Sequence, residues 1–326
     1  MLNKHGIYEL IERLNTIMLQ EEASGFSGAV LVQHQGQTLL SKGYGSIRGF
    51  QMAANSRFWI ASMGKQFTSA ALLKCQDEGI LALDDPLPRF IPDVPADKKA
   101  ITLKQLLSHT SGLAQGIESE NAPDRAAALQ AILATPSADQ PGSRFIYSND
   151  NYQLAAAILE IASRSSYEIF VRVKLFDPLS LKDTGQAGKG RDPRVAPTIA
   201  NLLPAHVLGR RWGQQSYYST TSDLLRWYQA LRSQDVLSQH SVEQIFQPVI
   251  PIKEGYSALG WFIGRTAVGV QRIFTRGNED YGANGLLYAY PGTDSIIVVL
   301  AHSGNKEPET SYSRAIHAMI EETLLS

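Results

Sequence analysis

Ser62 and Lys65, in the stretch Ile60-Ala61-Ser62-Met63-Gly64-Lys65-Gln66-Phe67-Thr68, set a hydroxyl and an amine three residues apart. On a helix, positions i and i+3 share a face, so the lysine reaches the serine and the pair is a candidate activated nucleophile. Ser62 would also lie in the first helical turn, where unpaired backbone N–H groups and the positive end of the dipole favour a developing alkoxide. The pattern is short and occurs twice. Its second copy, Ser303-Gly304-Asn305-Lys306, contains a glycine, follows a strand-like run and enters Glu307-Pro308. It reads as a loop, which does not stack i on i+3. Around Ser62, by contrast, Met63, Phe67, Ala70, Ala71, Leu72, Leu73 and Cys75 leave little of the helix polar. That predicts a buried central element, ending at Asp77-Glu78-Gly79.

A serine hydroxyl needs a proton acceptor, and acyl chemistry needs a grip on the carbonyl. Tyr147-Ser148-Asn149 is the only Tyr-x-Asn in the chain, between Pro141-Gly142 and a helical run. In an extended segment, residues two apart point the same way. Tyr147 and Asn149 would then enter one cleft while Ser148 turns aside, and Asn151 is expected to cap the following helix.

The remaining elements must position these groups. Ile7, Leu10, Ile11, Leu14, Ile17 and Met18 predict a first amphipathic helix ending near Ser24-Gly25. Gly28 to Gln33 and Thr38 to Ser41, split by Gln35-Gly36, predict a β-hairpin. Gly43, Gly45 and Gly49 lack the Gly-x-Gly-x-x-Gly spacing of a dinucleotide loop. Helices are expected over Ile101–Leu107, Ala126–Ala134, Asn151–Ser163, Tyr167–Phe176 and Ser222–Leu231, with an aperiodic covering loop over 185–215. From Gly260 the pattern changes to strands at Trp261–Arg265, Val268–Thr275, Gly285–Tyr290 and Ile296–Ala301, before a closing helix over Thr310–Leu325. Strands at both ends with helices between predict an α/β plus all-α protein. A mainly antiparallel sheet flanked by terminal helices would be built from residues 1–58 and 248–326, and a helical lobe from 59–247 would be inserted, with the active site between them.

Lys plus Arg number 30 and Asp plus Glu 31, a net charge of −1 with no basic block. Nucleic acid and anionic membranes are therefore not expected partners. Cys75 is the single cysteine, which excludes an intrachain disulfide and a Cys-based zinc cluster. The histidines lack ligand spacing, so neither a metal nor another cofactor is expected. No run approaches the roughly 18 apolar residues of a membrane span, and Met1-Leu2-Asn3-Lys4-His5 lacks the apolar core of a secretory signal. A soluble chain is expected, cytoplasmic or exported with its signal already removed; the compartment itself is open.

Taken together, Ser62-x-x-Lys65 followed by Tyr147-x-Asn149 resembles the serine β-lactamase and penicillin-binding-protein superfamily, in its branch of class C β-lactamases, DD-peptidases and family VIII carboxylesterases. Phe58-Trp59-Ile60-Ala61-Ser62, Asp84-Asp85-Pro86, the run Ile101 to Leu113 containing His109-Thr110-Ser111-Gly112-Leu113, and Pro141 to Asn149 carry the same likeness. It extends from about Phe26 to Leu300. The resemblance implies a β-lactamase/transpeptidase-like fold. It also implies that Ser62 attacks a carbonyl, that Lys65 and Tyr147 share the general-base role, that Asn149 binds the substrate, and that water then hydrolyses an acyl-enzyme. His109 is expected to be a structural turn residue, not a base. No separate deacylating glutamate is evident, which agrees with Tyr147 serving both half-reactions.

The third landmark of that family is Lys or His, a small residue and Gly on a strand facing the serine. Its place by order is Thr275-Arg276-Gly277-Asn278. His302-Ser303-Gly304 fits the letters better but comes after the last strand, so we set it aside. Gly277 would let substrate approach the backbone, and the Asn278 N–H would join that of Ser62 as an oxyanion donor. Thr275 replaces the usual cation. Arg276 would return the charge only if the strand bulged, because neighbouring side chains point to opposite faces. The missing cation tilts the expectation toward a carboxylesterase or small amidase. The alternatives are a β-lactamase or DD-peptidase/transpeptidase acting on β-lactams or D-Ala peptides, and a catalytically silent ligand-binding homologue. The expected partner is a small-molecule ester, amide or β-lactam.

Overall fold

A computed structural model describes residues 4–115, 119, 122–186, 217–278, 282–307 and 310–325. The covering loop expected over 185–215 lies outside these residues apart from Gly185–Gln186, a two-residue strand that pairs with Tyr217–Tyr218.

The chain starts with helix α1, Lys4–Ala23, and the hairpin of β1, Gly28–His34, and β2, Gln37–Tyr44. Gln35 and Gly36 both have positive φ, 49° and 75°. Two consecutive left-handed residues turn a two-residue hairpin with the natural twist of its strands. Helix α2, Lys65–Asp77, follows a single 3₁₀ turn at Ala61–Gly64. Before the remaining strands, the helices of seven residues or more are α3, Arg125–Ala134, α4, Asn149–Ser163, α5, Thr221–Ser233, and α6, Gln239–Ile245, with five-residue helices at Leu103–Leu107 and Tyr167–Val171. The remaining strands of the main sheet are β3, Ile250–Ile252, β4, Gly255–Ser257, β5, Phe262–Arg265, β6, Gln271–Asn278, β7, Asn284–Tyr290, and β8, Ser295–Ala301; a short separate hairpin of Asn305–Glu307 and Thr310–Ser311 precedes α7, Tyr312–Leu325.

The eight strands form one antiparallel sheet in the order β2-β1-β8-β7-β6-β5-β4-β3. Pairing β1 with β8 closes the chain's two ends into one layer. β1, β7 and β8 are buried along their whole length, so both faces of the sheet are covered. Val30, Val32, Val299 and Tyr288 join the core of α1 and α7, whereas Ala29, Leu31, Val298 and Leu300 join the core that contains α2. The alternation along one strand feeds two cores.

Within this sheet, two strands depart from the sequence expectation. β3 and β4 are three residues each, and Pro251 sits within the edge strand β3, where its missing N–H leaves no sheet bond unmade. A proline in so short a run conceals the period-two signal.

Candidate active site

The peptide before the nucleophile candidate is bent. Ala61 has φ +48°, a left-handed conformation that a residue with a Cβ adopts only under constraint from its surroundings. Ser62 then falls in the 3₁₀ turn, and Lys65 opens α2. In a 3₁₀ turn, positions i and i+3 eclipse more closely than in an α-helix. Lys65 Nζ donates to Ser62 Oγ at 3.0 Å and to Asn149 Oδ1 at 3.0 Å, and Tyr147 Oη donates to Ser62 Oγ at 2.8 Å. The hydroxyl is thus contacted by two groups that can carry protons, and the lysine is 3% exposed.

Helix α2 is fixed in rotation by its own polar side chains. Gln66, Thr68 and Ser69 are fully buried, and each finds a partner. The Trp227 indole donates to Gln66 Oε1 at 3.0 Å, Thr68 shares a hydrogen bond with the Tyr167 hydroxyl at 2.6 Å, and Ser69 with that of Tyr152 at 3.2 Å. Rolling the helix to move Lys65 would break all three, leaving buried polar groups unpaired.

The Tyr147 segment is held from behind by His109. Its carbonyl accepts the Ile146 N–H at 2.9 Å, its Nδ1 accepts the Ser148 N–H at 3.2 Å, and its ring lies 4.4 Å from the Tyr147 ring. His109 has φ +59°, and burial followed by the nearby Lys65 charge holds its pKa well below the usual histidine range. A neutral imidazole accepting on Nδ1 is a support for the phenol. Ser148 is extended, but Asn149 already begins α4, so the two side chains meet at a strand-to-helix turn and not along a straight extended segment. Asn151 does not cap the helix: it is buried in the first turn, taking a hydrogen bond from Ser111 Oγ at 2.5 Å and lying 3.2 Å from His109 Nδ1. Ser148 holds the N-cap position, with no side-chain cap bond.

β6 brings the third segment to the serine. A Cβ on Gly277 would sit 2.3 Å from the Ile60 carbonyl and 2.9 Å from the Ser62 N, so any side chain there collides with the backbone that presents the nucleophile. β5 pairs with β6 only as far as Phe274, and β7 pairs with it through Asn278 without a register shift. Thr275–Asn278 therefore has a strand neighbour on one side only, and Gly277 and Asn278 line a cavity of about 740 Å³ together with Ser62, Tyr147, Phe145 and Phe262. Thr275 is buried and faces a small crevice shared with Lys65 and His109. With no bulge, Arg276 leaves the strand on the face opposite Thr275, yet it too lines the larger cavity, where it forms a two-pronged ion pair with Glu254 at 2.6 and 2.9 Å. Glu254 and Arg314, at the start of α7, also line the cavity. Sequence reasoning missed both, since neither belongs to a recognisable pattern.

The rejected His302-Ser303-Gly304 lies elsewhere. The His302 ring stacks on Phe58 at 5.1 Å, and Ser303 Oγ accepts the Ser27 N–H at 2.5 Å. Among the described residues, no group of three or more His, Cys, Asp and Glu side chains is arranged to hold a metal ion, and no helix is long and apolar enough to cross a membrane.

A sheet closed from both ends of the chain, with a serine, a lysine and a tyrosine in mutual contact beside its β6 strand, defines the β-lactamase/transpeptidase type of fold. The model of the Beta-lactamase family matches residues 15–318, and the chain belongs to that family. It is 26% identical to penicillin-binding protein 4* of Bacillus subtilis (strain 168), over 90% of this chain and 71% of that protein. It is 28% identical to protein flp of Staphylococcus aureus (strain MW2), over 66% of this chain and 48% of that protein. Among solved structures, D-amino acid amidase from Ochrobactrum anthropi SV3, complexed with D-phenylalanine, superposes with a TM-score of 0.81 at 20% identity, covering 97% of this chain and 98% of the amidase.

Proposed function

We propose that this protein is a serine hydrolase that forms an acyl-enzyme on Ser62 from a small ester or amide, and that its preferred reaction is that of a carboxylesterase. The observation that carries this reading is the contact of Ser62 Oγ with both Lys65 Nζ, at 3.0 Å, and Tyr147 Oη, at 2.8 Å. In the proposed mechanism the Lys65–Tyr147 pair takes the Ser62 proton as Oγ attacks the carbonyl, and returns it to the leaving oxygen or nitrogen. Asn149, which also orients the lysine, would hydrogen-bond the substrate. The Ser62 and Asn278 N–H groups would receive the oxyanion, one such donor being worth on the order of 10² to 10³ in rate. Water admitted through the cavity would then be activated by the same pair to release the acid. Residues 1–58 with 248–326 would form one side of this site and 59–247 the other.

Thr275 in place of a cation supports neutral esters over carboxylate-bearing β-lactams. The names of the D-amino acid amidase and of the penicillin-binding protein support amide and β-lactam chemistry as the second reading. Intact-mass detection of an acyl adduct across p-nitrophenyl esters, D-amino acid amides and β-lactams tests both. An adduct that turns over fastest with short esters is the expected result. Faster turnover of benzylpenicillin than of any ester would overturn the esterase preference, and no adduct with any compound would leave a ligand-binding homologue.

A further inference from the structure

Arg276 reaches the cavity already occupied. Its guanidinium lies over the rings of Phe274 and Phe262, at 5.6 and 6.0 Å, and presents both its terminal nitrogens to the two oxygens of Glu254. This planar, two-pronged geometry is the one by which arginine recognises a carboxylate. Glu254 belongs to the β3–β4 turn, and that turn is pinned against β5. The following Gly255 has φ +138°, and a Cβ there would come 2.0 Å from the Ile263 carbonyl; a Cβ on Gly264 would come 2.7 Å from the Glu254 carbonyl. The carboxylate is therefore delivered to Arg276 by rigid backbone and not by a mobile loop.

We propose that Glu254 is a specificity residue: it places an internal carboxylate on Arg276, where a substrate's carboxylate would otherwise bind, and so selects acyl substrates that carry no anion near the reacting bond. The inference rests on the acyl-enzyme reading above and names its substrate class. Arg276 holds the Glu254 carboxyl below its usual range, so the pair stays charged and closed at neutral pH. Arg144, Lys253 and Arg314 also line the cavity, but all three are exposed. Solvated rim charges attract anions at low salt without fixing them in register.

The test compares kcat/KM for p-nitrophenyl butyrate and for mono-p-nitrophenyl succinate, esters of similar length that differ by one carboxylate. A ratio of two substrates is insensitive to the fraction of enzyme folded. The wild type prefers the butyrate. Glu254→Gln shifts the ratio about tenfold toward the succinate, the scale of one charge-assisted bidentate contact at a partly exposed site. Adding Arg276→Ala to that variant abolishes the shift, whereas adding Arg314→Ala keeps it. Arg276→Ala alone leaves Glu254 unpaired and disfavours the succinate further. An unchanged ratio in Glu254→Gln, or a shift that survives loss of Arg276, overturns the proposal. Intact mass of the wild type with the butyrate separates the two levels: no adduct on Ser62 refutes the acyl-enzyme itself, while an adduct with an unmoved ratio refutes only the role of Glu254.

Discussion

The two copies of Ser-x-x-Lys carry the same residue types at the same spacing and share little else. At the first, a strained Ala61 and a 3₁₀ turn stack Ser62 on a buried Lys65, and Tyr147 and Asn149 arrive from 82 to 84 positions beyond the lysine. At the second, Gly304 has φ +74° and Lys306 lies in a short strand. The serine there contacts the Ser27 backbone, and the lysine is paired with Glu21 at 2.6 and 2.8 Å. One pair converges on a cavity; the other ties the chain's end to its first helix. Spacing supplies reach only where the backbone is helical, and chemistry arises only where a third group is delivered to the same point.

The largest effect that separates the copies is loss of the hydroxyl. Ser62→Ala should lower kcat with a p-nitrophenyl ester by at least about 10⁴-fold. Ser303→Ala should change it by less than about twofold, as ordinary substitutions away from a site do. Equal losses in the two variants would erase the distinction. Next is the proton carrier: Lys65→Ala and Tyr147→Phe should each cost about 10² to 10⁴ in kcat with the fold intact by circular dichroism. Gly277→Ala, which pushes β6 off the Ser62 backbone, should fall in the lower part of that range, and full activity would show that the close approach is unnecessary.

At the second copy, Lys306→Ala should spare activity but cost about 1 to 3 kcal/mol of stability, because it leaves the buried Glu21 carboxylate unpaired. Thermal unfolding would show it. The effect that is smallest at neutral pH, and grows only in acid, is on pH dependence beside that copy. Burial pushes His302 down to about 3 from an ordinary 6.5, and burial with Arg272 does the same to His317. Above pH 6.5 both are neutral folded and unfolded, and stability is complete. Below it the unfolded chain takes up protons that the folded one refuses, so stability falls as pH drops toward 3. His302→Leu should flatten that slope, and an unchanged slope would place the acid sensitivity elsewhere.

What could be read in the sequence follows from what is local. The α1 helix, the β1–β2 hairpin and the β7 and β8 strands come from apolar periodicity, and Gln35-Gly36 marks the hairpin turn, whereas β6, with its polar Gln271, Arg272, Arg276 and Asn278, lies three residues beyond the expected Val268–Thr275. The Ser62 helix was legible because little in it except Gln66, Thr68 and Ser69 opposes burial. Those three residues are also what positions Lys65, and their partners Trp227, Tyr167 and Tyr152 are too distant in the chain for any spacing rule to pair them. β3 and β4 were concealed by Pro251 and by their length. Glu254 was concealed with them, so nothing in the sequence pairs Arg276 with a carboxylate. The role of Asn151 was misassigned because a cap and a buried bridge to Ser111 and His109 place the same amide at the same helix end.

The most direct measurement is covalent labelling with a fluorophosphonate probe, followed by peptide mapping of the native protein and of the Ser62→Ala and Lys65→Ala variants. A single adduct on the peptide bearing Ser62, absent without the serine and strongly slowed without the lysine, is the predicted result. An adduct on Ser303, or undiminished labelling in either variant, would contradict the account.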